Sequence, residues 1–578
     1  MNKSILIWSL PLAFCGSAYA QSAIDAYRFS QPDLKGTARY MGMAGAFGAL
    51  GGDLSTLSQN PAGIGVYRSG DIGFTLNLDC QSSSSDAFGQ KYDMSQTKFL
   101  LNNIGAVVTM RLPSATFPNV NFGFTYNKGA SFNRQYGGNI SKLSDSMSNY
   151  VAGIANGNQL TENDVAATSS YDPYNPTDGG YAAPWMAILG YDGYLITPSG
   201  TGEDTRWFGQ WGDGTSGSGS FLVKEKGSMD EYNIALGGNI ANVVYWGMNF
   251  DIVNFDYTIN SLWGENLSDA YIPDANNEIV RGDGNWKLNN YYNVSGSGFN
   301  YQLGVIVKPI QELRLGFAVH TPTWYNLTET FYADINYNYS GETGVAQTNG
   351  GYLASNDMCF RTPWKFIASA AGVIGGRFII SLDYEWTPYN KMKFSAPGSY
   401  GGGWNGDWDY GWDDGWDYPY WYGSPAKSAA EPTRASYIDP NDTYYESNYD
   451  INTYYRATNT IRVGAEYRVT PSFSVRAGYS HVSSPVKEAA KNDSEIIVTS
   501  GTLPNYRFDN GTDYITCGLG YRYKKFYVDL AYVYKHMSSE YHAYTPDPNP
   551  DVNQAIPSPQ SKLSLNNSQI VLSAGFRF

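Results

Sequence analysis

The sequence is poor in the residues from which most catalytic and metal sites are made. It has 4 histidines and 4 cysteines among 578 residues. Of His320, His481, His536 and His542, three fall at or near expected strand ends on the outer side, and no spacing links the four, so they read as rim histidines rather than as metal or haem ligands. Cys80, Cys359 and Cys517 are widely scattered, which speaks against a metal cluster and leaves room for one disulfide at most. Ser480 and His481 are adjacent rather than facing, so no catalytic triad can be argued. Neither an enzyme nor a cofactor is expected. Basic charge is also scarce. Lys and Arg total 38 against 53 Asp and Glu, a formal charge of −15. That balance argues against nucleic acid and against docking onto anionic lipid heads. After the first twenty residues no run of about 18 apolar residues occurs, so no transmembrane helix is expected.

Residues 1–20 read as a signal peptide. Lys3 supplies positive charge, Ile5 to Phe14 an apolar run too short to span, and Ala18-Tyr19-Ala20 a cleavage site. The mature chain is then expected to begin at Gln21. Without Lys3 its formal charge is 37 − 53 = −16. Cys15 raises a lipoprotein alternative, but Phe14 stands where such signals need a small residue.

What the chain has in quantity is aromatic residues. Tyr (49), Phe (26) and Trp (15) make up 16% of it, while its mean hydropathy is only −0.38. A transmembrane β-barrel reconciles the two, because only alternate residues face lipid, aromatic girdles mark both interfaces and polar loops dilute the mean. The alternation is visible. In Ile461 to Val469 every odd position is apolar or aromatic and every even one is charged or Gly. Phe378, Ile380, Leu382, Tyr384 and Trp386 alternate with Ser381, Asp383 and Glu385, with Ile379 out of pattern. A strand can put such a series on one face and a helix cannot.

Connections alternate between short and long. Short joins fall near Leu112–Asn119, Ile240–Val243, Lys308–Gln311, Val373–Arg377, Val469–Ser472 and Tyr523–Phe526. Long polar stretches fill Gln81–Lys98, Arg134–Ser228, Asn260–Asn290, Pro322–Asp357, Pro388–Tyr455, Ser484–Gly511 and Met537–Asn567. Pairing them predicts an all-β, antiparallel barrel of about fourteen strands over residues 70–578. Extra strands could lie within Arg134–Ser228. Large extracellular insertions are expected at 134–228 and 388–455. In the last strand Ile570, Leu572, Ala574, Phe576 and Phe578 form an apolar face ending in an aromatic, like the sorting signal of outer-membrane barrels.

Residues 21–69 have another grammar. Gly42, Gly45, Gly48 and Gly51 recur every third residue among Ala and Met, and Asn60-Pro61-Ala62-Gly63 follows. A phosphate or dinucleotide loop is excluded, since no strand precedes the glycines and no Gly-Lys-Ser/Thr follows. Close helix packing through small residues is the plain reading, and a segment of this size would fit inside the lumen as a plug.

Met41 to Leu50, leading to Gln59-Asn60-Pro61-Ala62-Gly63, resembles the N-terminal hatch of FadL/TodX-type outer-membrane transport proteins. The hairpin from Gly304-Val305 through Lys308-Pro309 to Leu313-Arg314-Leu315-Gly316, then Thr321-Pro322-Thr323, is similar to one common in that family. Arg361-Thr362-Pro363 and the terminal Phe578 agree with it. The two largest loops match nothing in it, and the Trp- and Tyr-rich insertions resemble a divergent branch from Bacteroidetes. The resemblance implies a fourteen-stranded barrel plugged by a hatch, set in the outer membrane of a Gram-negative bacterium. It also implies uptake of long-chain fatty acids or other small hydrophobic molecules, with capture outside and release sideways beside a kinked strand. Monomeric action and handling by the barrel-assembly machinery follow as expectations. A non-enzymatic role in protein secretion and a general porin remain alternatives, and the hatch argues against the porin.

Three further sites stay open. Asn60, Pro61 and Ala62 either act in gating or shape the turn that ends the hatch. The strand from Val120 meets Asn127-Lys128-Gly129-Ala130, so Asn127 and Gly129 mark either a kink or the strand's arrival at the aqueous rim. Trp404, Trp408, Trp412 and Trp416, interleaved with Asp407, Asp409, Asp413, Asp414 and Asp417, are either a ligand-capture loop or a low-complexity surface loop. Their spacing lacks the pattern of an EF-hand.

Overall fold

The computed structural model describes residues 22–87, 89–175, 183–273, 278–339, 342–397, 444–491, 499, 501–545 and 556–578. The signal peptide falls outside them, as does the Trp/Asp-rich stretch with Trp404, Trp408, Trp412 and Trp416.

Fourteen antiparallel strands close into a barrel. In chain order they are β1 (Asp71–Ala87), β2 (Gln90–Arg111), β3 (Asn119–Ser131, resumed at Arg134–Ile140), β4 (Ser216–Ile240), β5 (Val244–Pro273) and β6 (Ile279–Val307). There follow β7 (Leu313–His320, resumed at Trp324–Tyr339), β8 (Ala354–Arg361, resumed at Lys365–Ile374), β9 (Phe378–Pro388) and β10 (Ala457–Arg468). The last four are β11 (Phe473–Val482), β12 (Tyr506–Tyr523), β13 (Phe526–His542) and β14 (Gln560–Arg577). Asp71 of β1 is opposite Val107 of β2 on one side and Arg577 of β14 on the other, so the ladder has no free edge at the seam. Closure is what hydrocarbon demands, since an unpaired backbone amide there has no water to turn to.

Alternation sets the two faces. Along β9, Ile380, Leu382, Tyr384 and Trp386 are exposed on the outer wall, while Ser381, Asp383 and Glu385 are buried inside. Ile379, the misfit in the sequence pattern, also points inward. It packs with Phe47 and Leu50 of the N-terminal segment.

The long connections differ from the expected loops. Gln81–Ala87 and Gln90–Lys98, Asn260–Pro273 and Ile279–Asn290, and much of Pro322–Asp357 continue as paired strands. A tilted strand needs about 9–11 residues to cross the hydrocarbon, yet β5 has 30 residues and β6 has 29. Most of each therefore stands outside the bilayer. The cause is physical: beyond the membrane the outer face meets water. On β5 and β6 the apolar residues, such as Phe255, Tyr257, Ile259 and Trp286, therefore turn to the lumen, and on β1 both faces are polar, although the ladder goes on. Within Arg134–Ser228, both ends are strand, and among the described residues the insertion proper holds three α-helices, α3 (Met147–Gly157), α4 (Glu162–Val165) and α5 (Trp185–Asp192). Extra strand occurs there only as a small hairpin pairing Thr197–Ser199 with Arg206–Phe208, separate from the barrel sheet.

Candidate functional site

The described residues from Ser22 to Ser69 lie against the inner wall. The helix α1 (Ala23–Ser30) is capped by Ser22, whose hydroxyl accepts from the Asp25 amide at 3.1 Å. It is buried among aromatic rings. Phe29 packs edge-on to Phe255 (5.2 Å between centroids) and Phe360 (5.7 Å), and Tyr27 meets Tyr389 and Tyr455 at 5.1 and 5.6 Å. The extracellular half of the lumen is thus an aromatic chamber, and the chain's own helix sits in it.

Below α1 the contacts become polar. The Lys35 ammonium is fully buried, 2.7 Å from Asp79 of β1 and 2.7 Å from the Gln569 amide oxygen of β14. Arg39, in the short helix α2 (Ala38–Met41), pairs with Glu466 of β10 at 3.0 Å. The glycine run follows. Where the spacing suggested packed helices, the chain makes successive tight turns, because Ala44, Gly45, Gly51 and Gly52 all adopt positive φ. Gly51 (φ +65°) has no room for a side chain: a Cβ there would lie 2.8 Å from the Cα of Gly63. Gly48 presses on β8, so that a Cβ would collide with the Ser369 hydroxyl.

Asn60-Pro61-Ala62 closes this unit. The Asn60 side chain accepts from the Ala62 amide at 3.1 Å, capping a 3-10 turn (Pro61–Val66) with Pro61 in its first turn. Its amide nitrogen donates to the Gly48 carbonyl, joining the tripeptide to the glycine run. Asp383 of β9 ties both to the barrel. Its Oδ2 accepts from the Gly48 amide at 2.9 Å and from the Gln59 side chain at 3.0 Å, and His320 of β7 contacts the Gln59 carbonyl at 2.8 Å.

The wall is interrupted beside this unit. Pairing between β2 and β3 ends at Asn103 and Asn127, although both strands continue. On the other side of β3 the register slips between Lys128 and Ala130, making Gly129 a bulge residue. The Gly129 carbonyl accepts from the Asp33 amide of the N-terminal segment at 2.9 Å, and Asn127 donates to Ser58 at 3.2 Å. Further out, β3 resumes inside β1 and β2, where the Ser83 hydroxyl donates to the Gln135 carbonyl at 2.6 Å and the Gln135 side chain to Ser95. Lys128 faces outward with Asp230 of β4 at 2.5 Å, so its charge is matched by a neighbouring strand.

A family model described as outer membrane protein transport protein (OMPP1/FadL/TodX) matches residues 233–545, more than half of the chain. The chain belongs to this family. It is a family of transport proteins, so this is an outer-membrane protein that crosses by strands. Among solved structures it is similar to a Pseudomonas aeruginosa FadL homologue, at 12% identity over 95% of this chain and 100% of that one (TM-score 0.48). It is also similar to the P. putida toluene transporter TodX, at 12% identity over 94% and 99% (TM-score 0.45). A third is the Ralstonia pickettii toluene transporter TbuX, at 14% identity over 94% and 99% (TM-score 0.43). No curated protein matches the sequence.

For this FadL/TodX-family chain, the structure gathers Gly42, Gly45, Gly48, Gly51 and Asn60-Pro61-Ala62 into one unit, with Asn127 and Gly129 bordering it at the wall. Phe578 lies elsewhere, at the seam, where its backbone exchanges two hydrogen bonds of 3.0 Å with Gly70, and its ring stacks near Phe576. Sequence reasoning missed Asp383, His320 and Lys35. Asp383 had the signature of any lumen-facing polar residue, and His320, taken for a rim residue, is buried in mid-barrel because β7 does not end there but resumes at Trp324. The one available signal was apolar residues at inward positions. Ala371, Ile379, Ala531, Val533 and Val571 mark where the N-terminal segment packs.

Proposed function

We propose that this chain carries small hydrophobic molecules, such as long-chain fatty acids or aromatic hydrocarbons, inward across the outer membrane. Residues 21–69 act as a hatch, and ligand leaves sideways between β2 and β3. The carrying observation is the break in the ladder at Asn103/Asn127 beside the bulge at Gly129. It stands where the aromatic chamber gives way to the polar layer of Lys35, Asp79 and Asp383. An apolar ligand gains on the order of 0.8 kcal/mol per methylene buried. It keeps that gain by moving into lipid and forfeits it by entering an ion-paired layer. An open porin for hydrophilic solutes fits less well, because the N-terminal segment occupies the lumen.

Deleting Gly129 tests the exit. The deletion joins Lys128, opposite Asp230, directly to Ala130, opposite Met229, so the β3–β4 ladder becomes regular without turning either neighbour to the other face. Freed of the bulge, β3 is expected to run on beside β2 past Asn127 and close the break. Saturable uptake of a radiolabelled fatty acid or of toluene is expected to fall to background while the folded barrel still reaches the outer membrane. Uptake that persists in the folded deletion variant would overturn sideways release.

A further inference from the structure

We infer that the periplasmic mouth of the lumen is a binding site for a small polyvalent oxyanion. Below the N-terminal segment lies a cavity of about 400 Å³, roofed by residues 50–54 and walled by the strand ends. Seven arginines line it against four carboxylates, a local excess of 7 − 4 = 3 positive charges in a chain whose formal charge is −15. Most of the carboxylates are already engaged. Glu466 accepts from Arg39 at 3.0 Å and Arg476 at 2.8 Å, Asp529 pairs with Arg476 at 2.6 Å, and Asp71 lies 3.5 Å from Arg577.

The surplus is therefore located. Arg68, Arg314 and Arg522 have no carboxylate partner among the described residues. Arg468 lies 3.9 Å from a Glu466 already shared by two others. Arg68 and Arg314 spend one hydrogen bond each, on the Asn242 side chain and the Leu50 carbonyl, both at 2.7 Å. The short turns around the mouth add Lys308, Arg377, Lys524 and Lys525 against Glu312. A concave site with a net excess of one sign raises the local concentration of the opposite ion, and guanidinium forks match phosphate and carboxylate oxygens in pairs. The volume admits a pyrophosphate- or citrate-sized anion and excludes a folded partner. The inference does not rest on sideways release, since an apolar path that ends at the wall never reaches this cavity.

The test is calorimetric titration of the full chain in neutral detergent with sodium pyrophosphate and, separately, sodium citrate, at matched ionic strength against chloride. Saturable binding of either anion is expected, and the one that binds tells phosphate from carboxylate preference. Arg468→Gln with Arg522→Gln, neither of which bonds to the N-terminal segment, should weaken it by about tenfold or more. Arg522→Lys should fall between, keeping charge and losing the fork. Binding of neither anion, or equal affinity in the folded double variant, overturns the inference.

Discussion

Asp383→Ala isolates the bond between the N-terminal segment and the barrel without touching the lipid-facing wall. The carboxylate is fully buried and accepts from the Gly48 amide and the Gln59 side chain. Gln59 keeps a second acceptor, the Gly45 carbonyl at 2.7 Å, so the Gly48 amide is the clearest donor left without a side-chain partner. A hydrogen bond to a charged group contributes about 1.5–3 kcal/mol, and a stranded buried donor costs about 1–3 kcal/mol. Removing the carboxylate also removes its own desolvation cost, which offsets part of this. A net loss of about 3 kcal/mol corresponds to roughly a hundredfold rise in the undocked population. Hydrogen exchange followed by mass spectrometry reads that population directly. Amides in residues 42–52 should exchange about a hundredfold faster, while those in β12 to β14 stay as protected as before. Asp383→Asn, which keeps an acceptor and the shape, should show a smaller effect. A folded Asp383→Ala barrel in which these amides accelerate less than about threefold would refute the reasoning.

Two other outcomes can be checked on the same protein. Glu265, in the part of β5 beyond the bilayer, is buried, and burial pushes its carboxyl up to about 7 although Met147, Ser146 and Trp263 donate to it. A raised carboxyl favours the folded state most when protonated, so this contribution is present in acid and is lost as pH rises through about 7. Amides of α3 should then be better protected at pH 5.5 than at pH 8 after correction for intrinsic rates, and Glu265→Gln should flatten the difference; an equal difference in the variant would discard the assignment. Phe578→Ala keeps the backbone pair with Gly70 but removes the exposed ring beside Phe576. It should lower the amount of folded protein in the outer membrane more than uptake per folded molecule, and an unchanged amount would count against Phe578 as a sorting element.

The barrel wall was legible in the sequence because lipid imposes one rule on every second residue, and fourteen strands obey it. The rule lapses where the environment does. At Asp79-Cys80-Gln81-Ser82-Ser83 both faces are polar, so the strand reads as loop although β1 runs on to Ala87. Ile379 broke the pattern for the opposite reason, since the lumen there holds Phe47 and Leu50 and not water. The candidate site was half legible. Asn60 and the glycines stand out by residue type, whereas Asp383, Lys35 and Asp79 become partners only through contacts between residues far apart in the chain, and no single-strand periodicity encodes such a pairing.

The same contacts divide the lumen into layers of different chemistry. Aromatic rings around α1 form the outermost layer, buried ion pairs and asparagines around the glycine run the middle one, and arginines the periplasmic mouth. Each boundary imposes a cost on a different solute. An apolar ligand loses its burial energy on entering the middle layer, and a small anion at the mouth would have to displace Lys35 from Asp79 to go further out. Neither has a favourable straight path through the barrel axis while the N-terminal segment is docked. If the wall break at Gly129 serves an apolar ligand and the arginine cup an anion, as proposed, the layering keeps the two solutes apart, and the ties at Asp383, Lys35 and Arg39 are the points where a change in docking would alter both.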